Sequence, residues 1–390
     1  MWNGLPVKIF PKSEYELRIK RAREFMRRDG LEAIIATNPI NFHYLSTGWR
    51  IGFDPVRYMI DEIAAAARPG MVIVPLDADP VALVPKLFSA SKDRGWIEDV
   101  RIWHGLPFRV DCLRKELENI GLTQGKIGME LGEELRLDIS HEDFESLKRD
   151  MPRVQFVPSG TFWELRMIKS KAEADKIRKA CSITGRGLET LFGRMKAGMT
   201  VKEVIRILFN SYMDEGALRP CFPPNLGSNL DARIVKGKEY CFDTGAVYDE
   251  YVSDVCRVAI VGKATRDQKD MYEKCLKLND AVRNASRAGA RTRDLWDIYR
   301  ATIEELRLSP EAHHRGYPDR IGHGFGLVGN EPPSLGPNDP YTLQAGYVHC
   351  VEPGAISATE YFYIEEDVWV TETGNDLLSK TVSRELREIT

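Results

Sequence analysis

What this 390-residue chain lacks narrows it first. No stretch approaches the roughly 20 consecutive apolar residues that span a bilayer, so no membrane partner is expected. The opening "MWNGLPVKIFPKSEYELRIK" has no apolar core long enough for a signal peptide. A formal net charge of -3, with no basic run carrying interleaved aromatics, offers nucleic acid no footprint. Seven cysteines, at 112, 181, 221, 241, 256, 275 and 350, are an odd number without CxxC spacing. That argues against a disulfide framework and against a zinc–thiolate site. Low-complexity segments and short-period repeats are missing too. The chain reads as reduced and cytoplasmic.

What remains is an ordinary globular composition, 43% hydrophobic and 29% charged. Its length exceeds one comfortable hydrophobic core, so two domains are expected. The first 160 residues alternate helical and strand-like patterns. "SEYE" at 13–16 has the form of a capping box, and Gly30 closes the periodic run, which predicts a helix over 14–29. "AIIAT", "MVIVPL" and "VALVP" are apolar runs of strand length bounded by Pro, Gly and Asp, as in a buried α/β sheet. No convergent polar cluster appears in this half. Pro158, Ser159 and Gly160 interrupt the pattern, and "SKAE" at 170 opens a new helix, as do "TVKE" at 200 and "TRDQ" at 265. A further helix is expected over 293–306. Helices interleaved with strand-rich stretches at 239–262, 346–352 and 361–371 predict an α+β second domain.

Two acidic strand pairs stand out in that half. With a two-residue turn at Tyr248-Asp249, Asp243 and Asp254 would face each other across a hairpin. Opposed Cβ atoms lie about 4.5–5.5 Å apart, and carboxylates at that distance repel unless a proton or a cation intervenes. Paired acids are usually solvated, but Tyr240, Phe242, Val252, Val255 and Val258 mark this hairpin as largely buried. A hard divalent metal held by oxygen ligands would supply the missing charge. Glu352, ahead of Pro353-Gly354, and Glu365, in an aromatic strand, form the second pair. His323 sits between Gly322 and Gly324, where backbone can approach closely.

Together these stretches resemble the pita-bread family of prolidase, aminopeptidase P, methionine aminopeptidase and creatinase. The matching segments are "FDTGAVYDEYVSDVCR", "GHGFGL" followed by "NEPP", "CVEPG" and "IEEDVWVTETGNDLLS". "NPINFHYLSTG" extends the likeness into the first half. The resemblance implies a creatinase-like α/β N-terminal domain over 1–160 and an α+β pita-bread catalytic domain over 161–390. It also implies two divalent ions (Mn, Co, Fe or Zn) held by Asp243, Asp254, His323, Glu352 and Glu365. Asp254 and Glu365 would bridge both ions, Asp243 would serve one, and His323 and Glu352 the other. Counting back from "VTETG" favours Glu365 over Glu366 as the ligand. Glu352 would act as general base and then protonate the leaving nitrogen.

The substrate side departs from the family. Asn330 stands where a His usually precedes "EPP", and Asp319 where another precedes the GHG segment. The usual His after "GSN" has no counterpart, and Tyr363 replaces the Arg of the proline peptidases. Asn330 cannot exchange a proton near pH 7, and losing Arg removes a bidentate donor. The expectation is a hydrolase of an amide-type C–N bond in a small molecule. The alternatives are an Xaa-Pro peptidase with an altered substrate shell, a dimethylsulfoniopropionate-type lyase, and a metal-free enzyme like creatinase or ectoine hydrolase. Asp319 and Glu331 are candidates for holding a cationic substrate group. The family's relatives dimerise, so a homodimer is expected, with Trp49 and Arg50 in a substrate-facing loop.

Overall fold

A computed structural model describes residues 9–46, 70–86, 95–105, 108–308, 320–356 and 360–390. Contacts divide the chain into two compact units, Met1–Leu165 and Arg166–Thr390.

The first unit is built on a mixed sheet. Its strands are β1 (Ala33–Ala36), β2 (Met71–Pro75), β3 (Val81–Pro85), β4 (Asp99–Trp103), β5 (Gly125–Met129) and β6 (Val154–Pro158), in the order β4-β3-β2-β1-β5-β6. The three apolar runs form β1, β2 and β3, buried along their whole length. Helix α1 (Lys12–Asp29) begins earlier than expected. Pro11, whose ring fixes φ near -66°, takes the cap, so Ser13 lies inside the first turn and "SEYE" caps nothing. Gly30, left-handed at φ 66°, ends that helix. After α2 (Pro39–Ser46) come α3 (Asp111–Asn119) and α4 (His141–Asp150), which bury Leu113, Leu117 and Leu147 against the strands. Glu130, at the end of β5, is buried and accepts from the Thr37 and Asn38 N–H groups, the Thr37 hydroxyl and the Asn41 amide.

Helix α5 (Thr161–Met167) is followed by α6 (Lys171–Arg194), α7 (Val201–Asp214), α8 (Arg266–Ala285) and α9 (Thr292–Glu305). The capping boxes at Ser170/Glu173, Thr200/Glu203 and Thr265/Gln268 form as their sequences suggest. One sheet of the second unit contains β7 (Arg219–Phe222), β8 (Glu239–Tyr248), β9 (Tyr251–Val252), β10 (Val255–Val261) and, from the C-terminus, β18 (Arg387–Ile389). Another contains β11 (His323–Gly324), β12 (Glu331–Ser334), β13 (Val348–Val351), β16 (Glu366–Val370) and β17 (Asn375–Leu377), while β14 (Gly354–Ile356) pairs with β15 (Tyr361–Tyr363).

The register of the first hairpin differs from the expected one. The turn is Asp249-Glu250, both at positive φ (47° and 75°), with Tyr248 opposite Tyr251. Two left-handed central residues match the twist of the flanking strands, and Lys176 holds Asp249 at 2.7 Å. Asp243 therefore pairs with Cys256, not Asp254. Asp254 instead falls across from Gly245, one diagonal step away on the same face.

Both hairpins interrupt their ladders at the acids. In the first, the Ser253 carbonyl presses onto Gly245, where a Cβ would come within 1.9 Å of its oxygen. The Ala246 N–H turns to the Thr184 and Ser253 hydroxyls at 3.0 and 3.1 Å. In the second, Val351 pairs with Glu366 and Gly354 with Tyr363, so one continuous register sets Glu352 across from Glu365. There the Asn279 amide donates to the Val351 and Ile364 carbonyls at 2.8 and 3.0 Å. Each break is thus satisfied by a buried polar side chain from a helix, Thr184 on α6 and Asn279 on α8, as buried backbone requires. Asn279→Leu should cost roughly 1–3 kcal/mol for each carbonyl that loses its donor. Urea unfolding of the variant checks this, and an unchanged midpoint would remove Asn279 from that role.

Candidate metal centre

The two ladder breaks bring the sequence-predicted acids to one place. Ligand-capable atoms of His323, Cys350, Glu352 and Glu365 lie within 4.8 Å of one another, and so do those of Asp243, Asp254 and Glu365. Glu365 belongs to both groups. It sits between β15 and β16, not inside a strand, and bridges to Cys256, which ties the second hairpin to the first. Asp243 is half-buried on β8, while Asp254, Glu352, Glu365 and His323 are buried.

His323 is placed by close packing. A Cβ on Gly322 would lie 2.2 Å from the Cys350 carbonyl oxygen, so only glycine lets β13 come this near. The ring Nδ1 is 3.0 Å from the Gly324 carbonyl, which can only accept, so Nδ1 carries a proton. Nε2 then faces Glu352 at 3.6 Å and Asp254 at 3.8 Å. A ring nitrogen turned toward two buried carboxylates is an arrangement that a shared cation would favour.

The electrostatics agree. Burial first, then Asp243, Asp367 and other acidic neighbours including Glu352, push the Asp254 carboxyl well above its ordinary range. Burial, then Asp254, Glu352 and Asp243, do the same to Glu365. The nearby guanidinium is committed elsewhere. Arg257 donates to the Cys256 and Glu365 carbonyls at 2.8 Å each and to the Glu366 carboxylate at 3.0 and 3.1 Å. Glu366 also accepts from the Ser379 hydroxyl and pairs with Arg384 at 3.0 Å. The two adjacent glutamates therefore face opposite surroundings, Glu365 the acidic cluster and Glu366 an arginine pair.

A cavity of about 300 Å³ opens beside Asp243, lined by Glu239, Cys241, Tyr361 and Tyr363 among others. Tyr363, in the position of the expected Arg, thus lines the space next to the cluster. Asn330 is exposed and its amide oxygen accepts from Arg320 at 3.3 Å. Glu331 is not available to a cationic substrate: it is buried, paired with Arg166 and with Lys169 at 3.4 Å. The coulombic pull of that pair, Arg166 first, outweighs burial and holds its carboxyl below the ordinary range. Asp319, Trp49 and Arg50 lie outside the described residues.

Comparison with known proteins decides the family. The pattern of metallopeptidase family M24 matches residues 175–372, just over half of the chain, and that of the creatinase/prolidase N-terminal domain matches 18–168. The chain belongs to metallopeptidase family M24. An Xaa-Pro dipeptidase of Pyrococcus furiosus is 26% identical over 383 residues, covering 95% of this chain and 99% of that protein. The prolidase structure from Pyrococcus horikoshii superposes with a TM-score of 0.74 at 24% identity, covering 96% of this chain and all of that one. A dipeptidase structure from Mycobacterium ulcerans gives 0.79 at 21% identity over 97% of this chain and 99% of its own. These neighbours show the fold, an α/β N-terminal domain followed by the pita-bread domain. As an M24 metallopeptidase-family member the protein is a metal-dependent hydrolase.

Two side chains beside the cluster escaped the sequence reading. Cys350 lies two residues before Glu352, hence on the same face of its strand. Asp367, opposite Cys350, accepts from the Asp254 N–H at 3.0 Å and the Cys181 thiol at 3.1 Å. Burial pushes its carboxyl up to about 8. The parity was visible in "HCVEPG" and "IEED"; the pairing across strands was not.

Because Asp254 and Glu365 have raised folded-state values, their stabilising contribution is complete below the ordinary carboxylate range. It is lost as pH rises through the raised values. In chelated protein, Glu365→Gln should flatten that loss and raise the melting temperature near neutral pH. Glu366→Gln should lower stability by about 3–5 kcal/mol, since it breaks a buried pair. Calorimetry of both variants checks the contrast, and equal destabilisation would contradict it.

Proposed function

We propose that this M24 hydrolase cleaves an amide-type C–N bond in a small molecule, using two divalent ions held by Asp243, Asp254, His323, Glu352 and Glu365. The donor set fits such ions: buried carboxylate oxygens and one imidazole nitrogen suit Mn, Co, Fe or Zn. The observation that carries the reading is the convergence of two ligand groups on the shared Glu365. Bound there, a pair of divalent ions lowers the pKa of a water and polarises the bond it attacks.

The chain's own groups do the rest. Glu352, buried beside His323, would take the water's proton as general base and pass it to the leaving nitrogen. The Nδ1–H bond to Gly324 keeps the His323 ring oriented with Nε2 toward the carboxylates. Asp367 fixes the backbone of Asp254 through its N–H. Tyr363 gives the adjoining cavity a neutral aromatic wall where an Arg would have offered a fork of donors. That substitution, with Asn330 and Asp319 in place of histidines, favours a small non-peptide amide. The full-length likeness to Xaa-Pro dipeptidases supports a second reading, a dipeptidase with an altered substrate shell. A homodimer and a cytoplasmic location go with either.

Asp254→Ala should abolish both metal uptake and turnover while circular dichroism stays native. Retention of full activity would sink the metal assignment. For the substrate, the reconstituted enzyme is assayed against a panel of small N-acyl amides and against Xaa-Pro dipeptides. Cleavage of amides without Xaa-Pro preference supports the first reading. Preference for the dipeptide supports the second.

A further inference from the structure

Among the described residues, Cys350 is the thiol whose sulfur lies within 4.8 Å of the liganding atoms of His323, Glu352 and Glu365. It is fully buried on β13, and its sulfur accepts from the His323 backbone N–H at 3.4 Å. Strand alternation turns it to the same face as Glu352, and the β13–β16 register sets it across from Asp367 as Glu352 stands across from Glu365. The sulfur thus belongs to a His, Cys, Glu, Glu set whose liganding atoms are mutually within 4.8 Å. His349, the residue before it, faces the other way, onto the Ser286 hydroxyl at 3.1 Å. The second group, Asp243, Asp254 and Glu365, contains no sulfur.

We propose that Cys350 is a direct ligand of the ion held by His323, Glu352 and Glu365, giving one half of the centre a soft donor and the other half oxygen only. The inference rests on the dinuclear reading above. As the sulfur–metal bond forms, the thiol proton leaves to solvent, as metal binding to thiols requires. A thiolate selects for thiophilic ions, so this position should prefer Zn, Co or Fe to Mn, whereas the all-oxygen position keeps the hard-ion preference. The centre is then chemically asymmetric, with one position that favours thiophilic ions and one that favours hard ions. A single cysteine in an oxygen-rich site also escapes the CxxC spacing by which thiolate sites are recognised in sequence.

X-ray absorption at the zinc edge of the wild-type protein tests this without any variant. One sulfur neighbour per two zinc ions at about 2.3 Å, beyond the nitrogen and oxygen neighbours at about 2.0–2.2 Å, is expected. Cobalt-loaded protein should show a near-ultraviolet sulfur-to-cobalt charge-transfer band that persists in Cys241→Ser and vanishes in Cys350→Ser. The Cys350→Ser protein should also lose about tenfold or more of its preference for Zn over Mn, at least the loss that follows removal of an outer partner of a ligand. Two bound ions with no sulfur neighbour and no band would overturn the thiol assignment and leave the dinuclear reading standing. No bound ion in the wild type would overturn both. Loss of the band in Cys241→Ser would assign the sulfur elsewhere and overturn the proposal.

Discussion

Everything in the second unit answers to the cost of burying like charges together. Asp254, Glu352 and Glu365 are buried, Asp243 is half-buried beside them, and His323 presents a ring nitrogen to two of them. Water screens the buried members poorly, and in such surroundings their mutual repulsion is far larger than at a surface. A fold that only sought stability would not place them so. The surrounding structure therefore holds them by over-determination: two hairpins with plugged ladder breaks, a backbone bridge between Cys256 and Glu365, and Arg257 fastening the Glu365 carbonyl. Strain of this kind persists where function requires it.

The contrast between Glu365 and Glu366 shows how local the solution is. One residue apart, the first meets carboxylates and a thiol, the second Arg257, Arg384 and Ser379. The pleat alone separates them, because successive side chains leave opposite faces of a strand. The same rule gathers Cys350 with Glu352, and Tyr363, Glu365 and Asp367 on the facing segment. Part of the acidic cluster, of the network around it and of the wall of an adjoining cavity is thus written into one short hairpin by odd and even positions.

Much of this was legible in the amino-acid sequence, and the failures have physical causes. Capping boxes at 170, 200 and 265 were readable because each is a local hydrogen-bond pattern. The one at 13 was not, since Pro11 already fixed the start of the helix. The hairpin register slipped by two because a Glu at positive φ sends no turn signal comparable to Asn-Gly. Glu331 looked like a free acid because nothing near it in sequence announces Arg166 and Lys169. Asp367 and Cys350 went unseen for a related reason: their place depends on which strands pair, a long-range fact that composition and spacing do not carry.

The acidic cluster carries Tyr363 on the wall of the adjoining cavity and Cys350 among its closely spaced side chains. The central claim is that the buried acids exist to hold two cations. Elemental mass spectrometry of the chelated protein, titrated back with divalent metal and freed of excess, tests it most directly. Two ions per chain, with hydrolysis returning as they bind, is the expected result. A chain that binds none, and that is equally active with and without chelator, would contradict it.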